Sequence, residues 1–218
     1  MVSFPILEAF QQKFNFEKPI IIADAALLSQ KNIVALKEDN YEYILGGRLK
    51  NENNKIKDKI LKLEIEEGNP QELASPNGRL IITYSSKRAR NDKRNREKGL
   101  KRLEKKVDSG KLSKKHINNR VYNKYLQLTG EVQISIDYEK FEADRVWDGL
   151  KGYVTNSKLS KVQVIEHYNQ LWHVEKAFRI SKTDLRIRPI YHRLKRRIEA
   201  HICICFAAYT FYKEVERL

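Results

Sequence analysis

The chain has 218 residues, enough for one sizeable domain or a domain carrying an insertion. A hydrophobic fraction of 41% permits a core, which excludes a chain too polar to fold. The formal net charge of +15 points to a polyanionic partner, in the first place nucleic acid, and says nothing about fold.

The N-terminus has no basic region followed by an apolar run, so no signal peptide is expected. Apolar residues Ile6, Leu7, Phe10 and Phe14 recur at helical intervals and predict a helix over 4–16. The β-branched run at 19–24 then reads as a buried strand, with a central place in a parallel sheet as its usual home and Asp24 at its C-terminal end. Sites in open α/β sheets form at such ends. Ser29 is a suitable N-cap for a helix to about residue 36. A strand over 41–45 is expected to close at the Gly46-Gly47 turn. A polar helical run at 51–67, a loop at 70–78 and a strand at 79–85 follow.

Residues 87–106 are charged almost throughout and predict a long exposed helix, broken by Gly110. A second basic helix is expected over 113–128. Between Lys87 and Arg120 stand fifteen Lys or Arg and four Asp or Glu, so most of the net charge is concentrated here. Such helices are either solvated or bound to phosphate. Tyr122 and Tyr125 either stack on bases or pack. The alternation of Val132, Ile134, Ile136 and Tyr138 predicts a half-exposed strand. Trp147-Asp148-Gly149 reads as a turn before a strand at 152–155. The rest is helical, over 161–182 and 194–217, with Pro189 between. Cys203 and Cys205, two apart on an apolar helix, point to different faces and exclude a mutual disulfide. The apolar stretch at 202–212 is too short to span a bilayer. No membrane partner and a cytoplasmic location are therefore expected. No P-loop, dinucleotide or Gly-x-Ser-x-Gly motif is present.

Within 164–183, Tyr168, Glu175 and Lys182 are spaced seven and seven, which on one helix would set them in one stripe. A carboxylate between a phenol and an amine suits phosphate chemistry: Glu holds a hard cation, while Lys, Tyr and the nearby Arg179 hold phosphate oxygens. The spacing alone is common. The segment resembles the C-terminal signature of a large group of bacterial insertion-sequence DDE transposases, written Tyr, two residues, Arg, three residues, Glu, six residues, Lys. Tyr168, Glu175 and Lys182 fall on that pattern, and Leu171 stands where the group has Arg. Residues 182–190, the Arg-rich helix with His201, and Ala23 to Ser29 upstream resemble the same group.

The resemblance implies an α/β fold: a ribonuclease-H-like transposase core, N-terminally truncated, with a large basic α+β insertion. It divides the chain into a partial core at 1–47, an insertion at 48–155 and the signature helices at 156–218. Three carboxylates would hold two Mg2+ ions for phosphodiester cleavage and strand transfer. Asp24 would be the second aspartate and Glu175 the glutamate, with 150 residues between them. DNA, as transposon ends and target, is the implied partner. Its expected contacts are Tyr168, Arg179 and Lys182, with Lys93, Arg94, Arg96, Lys101 and Arg102 in the basic region. A homodimer is the assembly kept in view. No Asp occurs before Asp24, so the first catalytic aspartate is expected to be missing and the chain inactive alone. A non-catalytic, basic nucleic-acid-binding remnant is the alternative.

Overall fold

The computed structural model describes residues 9, 11–14, 17–27, 29–110, 112, 116–118, 121–129 and 133–218. The chain divides into two compact units, Met1–Val164 and Ile165–Leu218. Residues 9 and 11–14 are helical, as the apolar spacing predicts; the rest of the expected helix at 4–16 lies outside the described residues.

The first unit is built on a five-stranded mixed sheet. Its strands are β1 (Ile21–Ala23), β2 (Tyr43–Gly47), β3 (Gln71–Ser75), β4 (Gly78–Tyr84) and, from late in the chain, the strand Leu150–Thr155. The order is β1, β2, Leu150–Thr155, β4, β3. β1 runs parallel to β2; the other pairings are antiparallel. Helices α1 (Gln30–Glu38) and α2 (Asn54–Leu61) start at side-chain caps: Ser29 Oγ accepts from the Asn32 N–H, and Asn53 Oδ1 from the Ile56 N–H. Ile33 and Leu36 of α1 and Ile56 and Ile60 of α2 are buried against Tyr43, Leu45, Leu80, Ile82 and Val154. On the opposite pleat Ile44, Ile81 and Tyr153 are buried as well.

Three expectations change here. β1 is an edge strand among the described residues, and its residues are half-buried. Gly46 and Gly47 do not turn; they continue β2. Gly47 lies opposite Gly152, and a Cβ on it would come 3.0 Å from the Gly152 carbonyl carbon. The glycines thus mark a close approach of two backbones. The expected loop at 70–78 contains β3, because Pro76 and Asn77 alone link Ser75 to Gly78. Gly78 has φ +121°, and a Cβ there would meet the Thr155 carbonyl oxygen at 2.3 Å, so no other residue fits that corner.

The remainder of the unit is a second, smaller core. α3 (Ser86–Asp108) is capped by Ser85 and stops before Gly110, at φ +64°. It packs on the antiparallel hairpin of β5 (Leu126–Thr129) and β6 (Gln133–Ile136) and on α4 (Tyr138–Ala143) through Leu103, Tyr125, Leu126, Ile136 and Phe141. The second basic helix expected at 113–128 is not present where the residues are described. Residues 123–125 form a 3-10 turn and 126–129 pair as β5, while 113–115 and 119–120 lie outside the described residues. Cross-strand partners such as Leu126 and Ile136 override local propensity. The turn at Asp148-Gly149 then leads into β7 (Leu150–Thr155), as the sequence suggests.

The unit boundary falls within α5 (Lys161–Asn169). The second unit holds α6 (Leu171–Thr183) and α7 (Lys195–Arg217). The single helix expected over 161–182 is therefore two. At Gln170 the hydrogen bonds tighten to the i to i+3 pattern, from Gln170 N to His167 O (3.1 Å) and from His173 N to Gln170 O (3.0 Å). Ile180 is buried in α6; no residue of α7 is.

Candidate active site

Asp24 directly follows β1 and is exposed. Its Oδ1 accepts a hydrogen bond from the Ala26 N–H at 2.8 Å, which starts the 3-10 turn Ala25–Leu27. This is an Asx-type turn, the bland role a carboxylate plays at a strand end. It also fixes the direction of the carboxylate.

In the second unit, Trp172, Glu175, Arg179 and Lys182 are spaced three, four and three along α6, so they line one helical face. All four are exposed. Trp172, Glu175, Lys176 and Arg179 line a shallow cleft of about 330 Å³. Lys176 is committed elsewhere: it pairs with Glu216, which also takes Lys213 at 2.5 Å. Hydrogen bonds from Lys176 and then Lys213 push the Glu216 carboxyl down to about 2. Glu175 forms no ion pair among the described residues, so its charge faces solvent. The Lys182 ammonium lies 5.8 Å from the centre of the Phe178 ring. Tyr168 belongs to α5, across the tightened turn at Gln170, so the expected stripe of Tyr168, Glu175 and Lys182 is interrupted between its first and second members. His201, a possible ligand by type, has its Nε2 3.1 Å from the Ile187 carbonyl and 3.7 Å from Cys205 Sγ.

Asp24 and Glu175 belong to different units, and each is described where its own unit holds it. Their carboxylates are hard oxygen donors of the kind Mg2+ takes. Among the described residues, no group of three or more His, Cys, Asp or Glu is gathered for a metal ion.

The basic helix is two-sided. Lys101 and Arg102 are exposed. Lys93 pairs with Glu97 at 3.9 Å, and Arg94 donates to Asn91 Oδ1 at 3.4 Å. Arg96, expected at DNA, is instead on the inner face, 8% exposed, with its guanidinium on Asp148 and 5.3 Å from the Phe141 ring. Its Nε has no hydrogen-bond partner among the described residues. Beside it, Asp92 accepts from the Gly149 N–H at 3.1 Å. Asp144 accepts from the Tyr125 hydroxyl at 2.6 Å and pairs with Lys124 and, at 3.3 Å, with Lys50. Burial works to raise the Asp144 carboxyl, yet hydrogen bonds from Lys124 and Tyr125 and the Lys50 charge hold it below its usual value. Burial lowers the Lys50 amine despite the Asp144 charge. Lys50, Asp92, Arg96, Lys124, Tyr125 and Asp148 line an open cleft of about 540 Å³, together with Trp147 and Tyr122. Sequence reading missed Asp144 and Asp148 as anchors. The one available signal was Asp148 ahead of Gly149, which it assigned to the turn alone.

None of the helices is long and apolar enough to cross a membrane among the described residues. The profile of the family described as Transposase DDE domain matches residues 5–211, nearly the whole chain. No curated protein and no solved structure matches significantly.

Proposed function

The chain belongs to the Transposase DDE domain family, and on that premise we propose that it serves DNA transposition by metal-dependent phosphodiester cleavage and strand transfer, with Asp24 and Glu175 as its metal-binding carboxylates. The observation that carries the reading is the exposed face of α6, where a carboxylate, a guanidinium and an amine stand in one row at Glu175, Arg179 and Lys182. Divalent metal, when bound, supplies an activated nucleophile and charge neutralisation at the leaving oxygen. Glu175 and Asp24 hold the cation. Arg179 and Lys182 hold the phosphate oxygens, and Tyr168 adds a hydroxyl contact. The Asx turn at Ala26 keeps Asp24 aimed.

In this reading the strand ending in Asp24 and its parallel neighbour belong to a ribonuclease-H-like core. Residues 48–155 form the basic insertion, and the signature is that of the Tyr-Arg-Glu-Lys group, with Leu171 in the Arg position. The chain acts as a soluble protein, its partners are transposon-end and target DNA, and a homodimer is its working form. Two carboxylates leave a two-ion site short of ligands, so residues 1–218 by themselves do not cut DNA. The test is a supercoiled plasmid with Mg2+ or Mn2+ and the purified chain. The plasmid stays closed, while Asp24→Asn and Glu175→Gln each lower Mn2+ affinity and leave DNA binding intact. Unchanged Mn2+ affinity would remove the metal-site reading. It would leave the second reading, a non-catalytic DNA-binding chain, which the charge on α3 favours. Nicking lost in both Asp24→Ala and Glu175→Ala would instead show that a third ligand is supplied, with Glu17 or a partner chain as the first places to look.

A further inference from the structure

We propose that the outer face of α3 is a rigid phosphate-binding rail for duplex DNA, formed by Lys87, Arg90, Arg94, Lys98, Lys101 and Lys105. The proposal rests on the transposase reading for its choice of DNA; the rail itself rests on geometry. The six residues are spaced three, four, four, three and four. At about 100° per residue they fall within an arc of roughly 80°, and at 1.5 Å per residue they span about 27 Å. All six are exposed. None forms an ion pair among the described residues. The helix's acids lie elsewhere or are occupied: Asp92 takes Arg88 and the Gly149 N–H, Glu97 takes Lys93, and Glu104 accepts from the Tyr138 hydroxyl at 3.3 Å. Asp108 reaches this side only at the C-terminal end.

The opposite side fixes the rail in place. Leu103 is buried in the smaller core, and Gly99 lies against the Tyr122 ring so closely that a Cβ would meet it at 2.3 Å. Arg96 faces inward onto Asp148. The six cations are therefore presented by a helix that cannot roll.

The chemistry of the face agrees with that partner. Between Lys87 and Lys105 the outer sector adds Asn91 and Arg102 to the six and contains no apolar side chain. A membrane-surface helix needs an apolar face to bury. The sector also has no aromatic side chain, whereas single-strand binders use aromatic platforms for base stacking. A straight row of Lys and Arg fits the regular phosphate backbone of a duplex, with no sequence preference.

The experiment measures binding of the full chain to a random-sequence duplex across a KCl series. Lys87→Gln, Arg94→Gln, Lys98→Gln and Lys101→Gln are combined in one variant, with circular dichroism as a check on folding. Counterion release sets the slope of log affinity against log salt at about −0.9 per phosphate neutralised, so the variant should lose roughly three to four from the slope and on the order of a hundredfold or more in affinity. A variant changing Arg193, Lys195, Arg196 and Arg197 should keep most of both. An unchanged slope in the first variant would show the face to be merely solvated. An equal loss in the second would show that any four cations serve. Tighter binding to single strands or to anionic vesicles than to duplex would overturn the choice of partner. Mn2+ affinity should be the same in the rail variant as in the unaltered chain. Loss of the metal reading would thus leave the rail standing, and the reverse.

Discussion

The two units carry their candidate site residues on very different foundations. In the first, β2, β4 and β7 bury side chains on both pleats, and two helices close one face. In the second, α6 and α7 bury only Ile180, while Ile204, Phe206 and Phe211 of α7 are about seven-tenths exposed. The longest helices show the same contrast. α3 is the more highly charged of the two, yet it is anchored, because its few apolar residues recur on one side. α7 carries more apolar residues, spread around the helix, and buries none. Burial follows the period of the apolar positions and the presence of a facing partner rather than apolar content.

The largest expected effect is in the buried ion pair. Asp148→Ala leaves the Arg96 guanidinium buried without its carboxylate and should cost about 3–5 kcal/mol in urea unfolding. Adding Arg96→Met should recover most of it. A single-variant cost below about 1 kcal/mol would mean that the pair is solvated. Next, Ile82→Ala in the sheet should cost about 2–5 kcal/mol, whereas Ile204→Ala, 69% exposed, should stay within about 0.5 kcal/mol. Equal costs would erase the contrast between the units.

Smaller again is the cap of α3: Ser85→Ala removes the acceptor for the Arg88 N–H and should cost about 1 kcal/mol. The smallest effect is in acid. Asp144 is held below its usual value, so its contribution to stability is complete above the ordinary carboxylate range and is lost as pH falls through the depressed value. Urea midpoints of the first unit should decline more gently with acid in Asp144→Asn than in the unaltered chain.

Much of the first unit was legible because its signals are local. Ser29 caps α1 where expected, the apolar run at 79–85 is β4, and Gly110 follows the end of α3. The failures share a cause, since each depended on a partner outside the segment itself, whether the next strand or one far along the chain. Gly47 is explained by Gly152, β3 by β4, and β5 by β6. The inward turn of Arg96 depends on Asp148, 52 residues away. At the candidate site, Glu175, Arg179 and Lys182 could be read as one face from spacing. The break at Gln170, which separates Tyr168 from them, has no sequence signal such as Gly or Pro.

The central proposal is a functional one, that Asp24 and Glu175 both contribute to metal binding, and a double-mutant cycle on Mn2+ affinity tests it most directly. Calorimetric titration of the full chain, Asp24→Asn, Glu175→Gln and the double variant supplies the four values. If the two carboxylates share an ion, each single change weakens binding by roughly tenfold or more, and the double change costs clearly less than the two together. Full additivity, or Mn2+ affinity indifferent to both residues, would contradict the account.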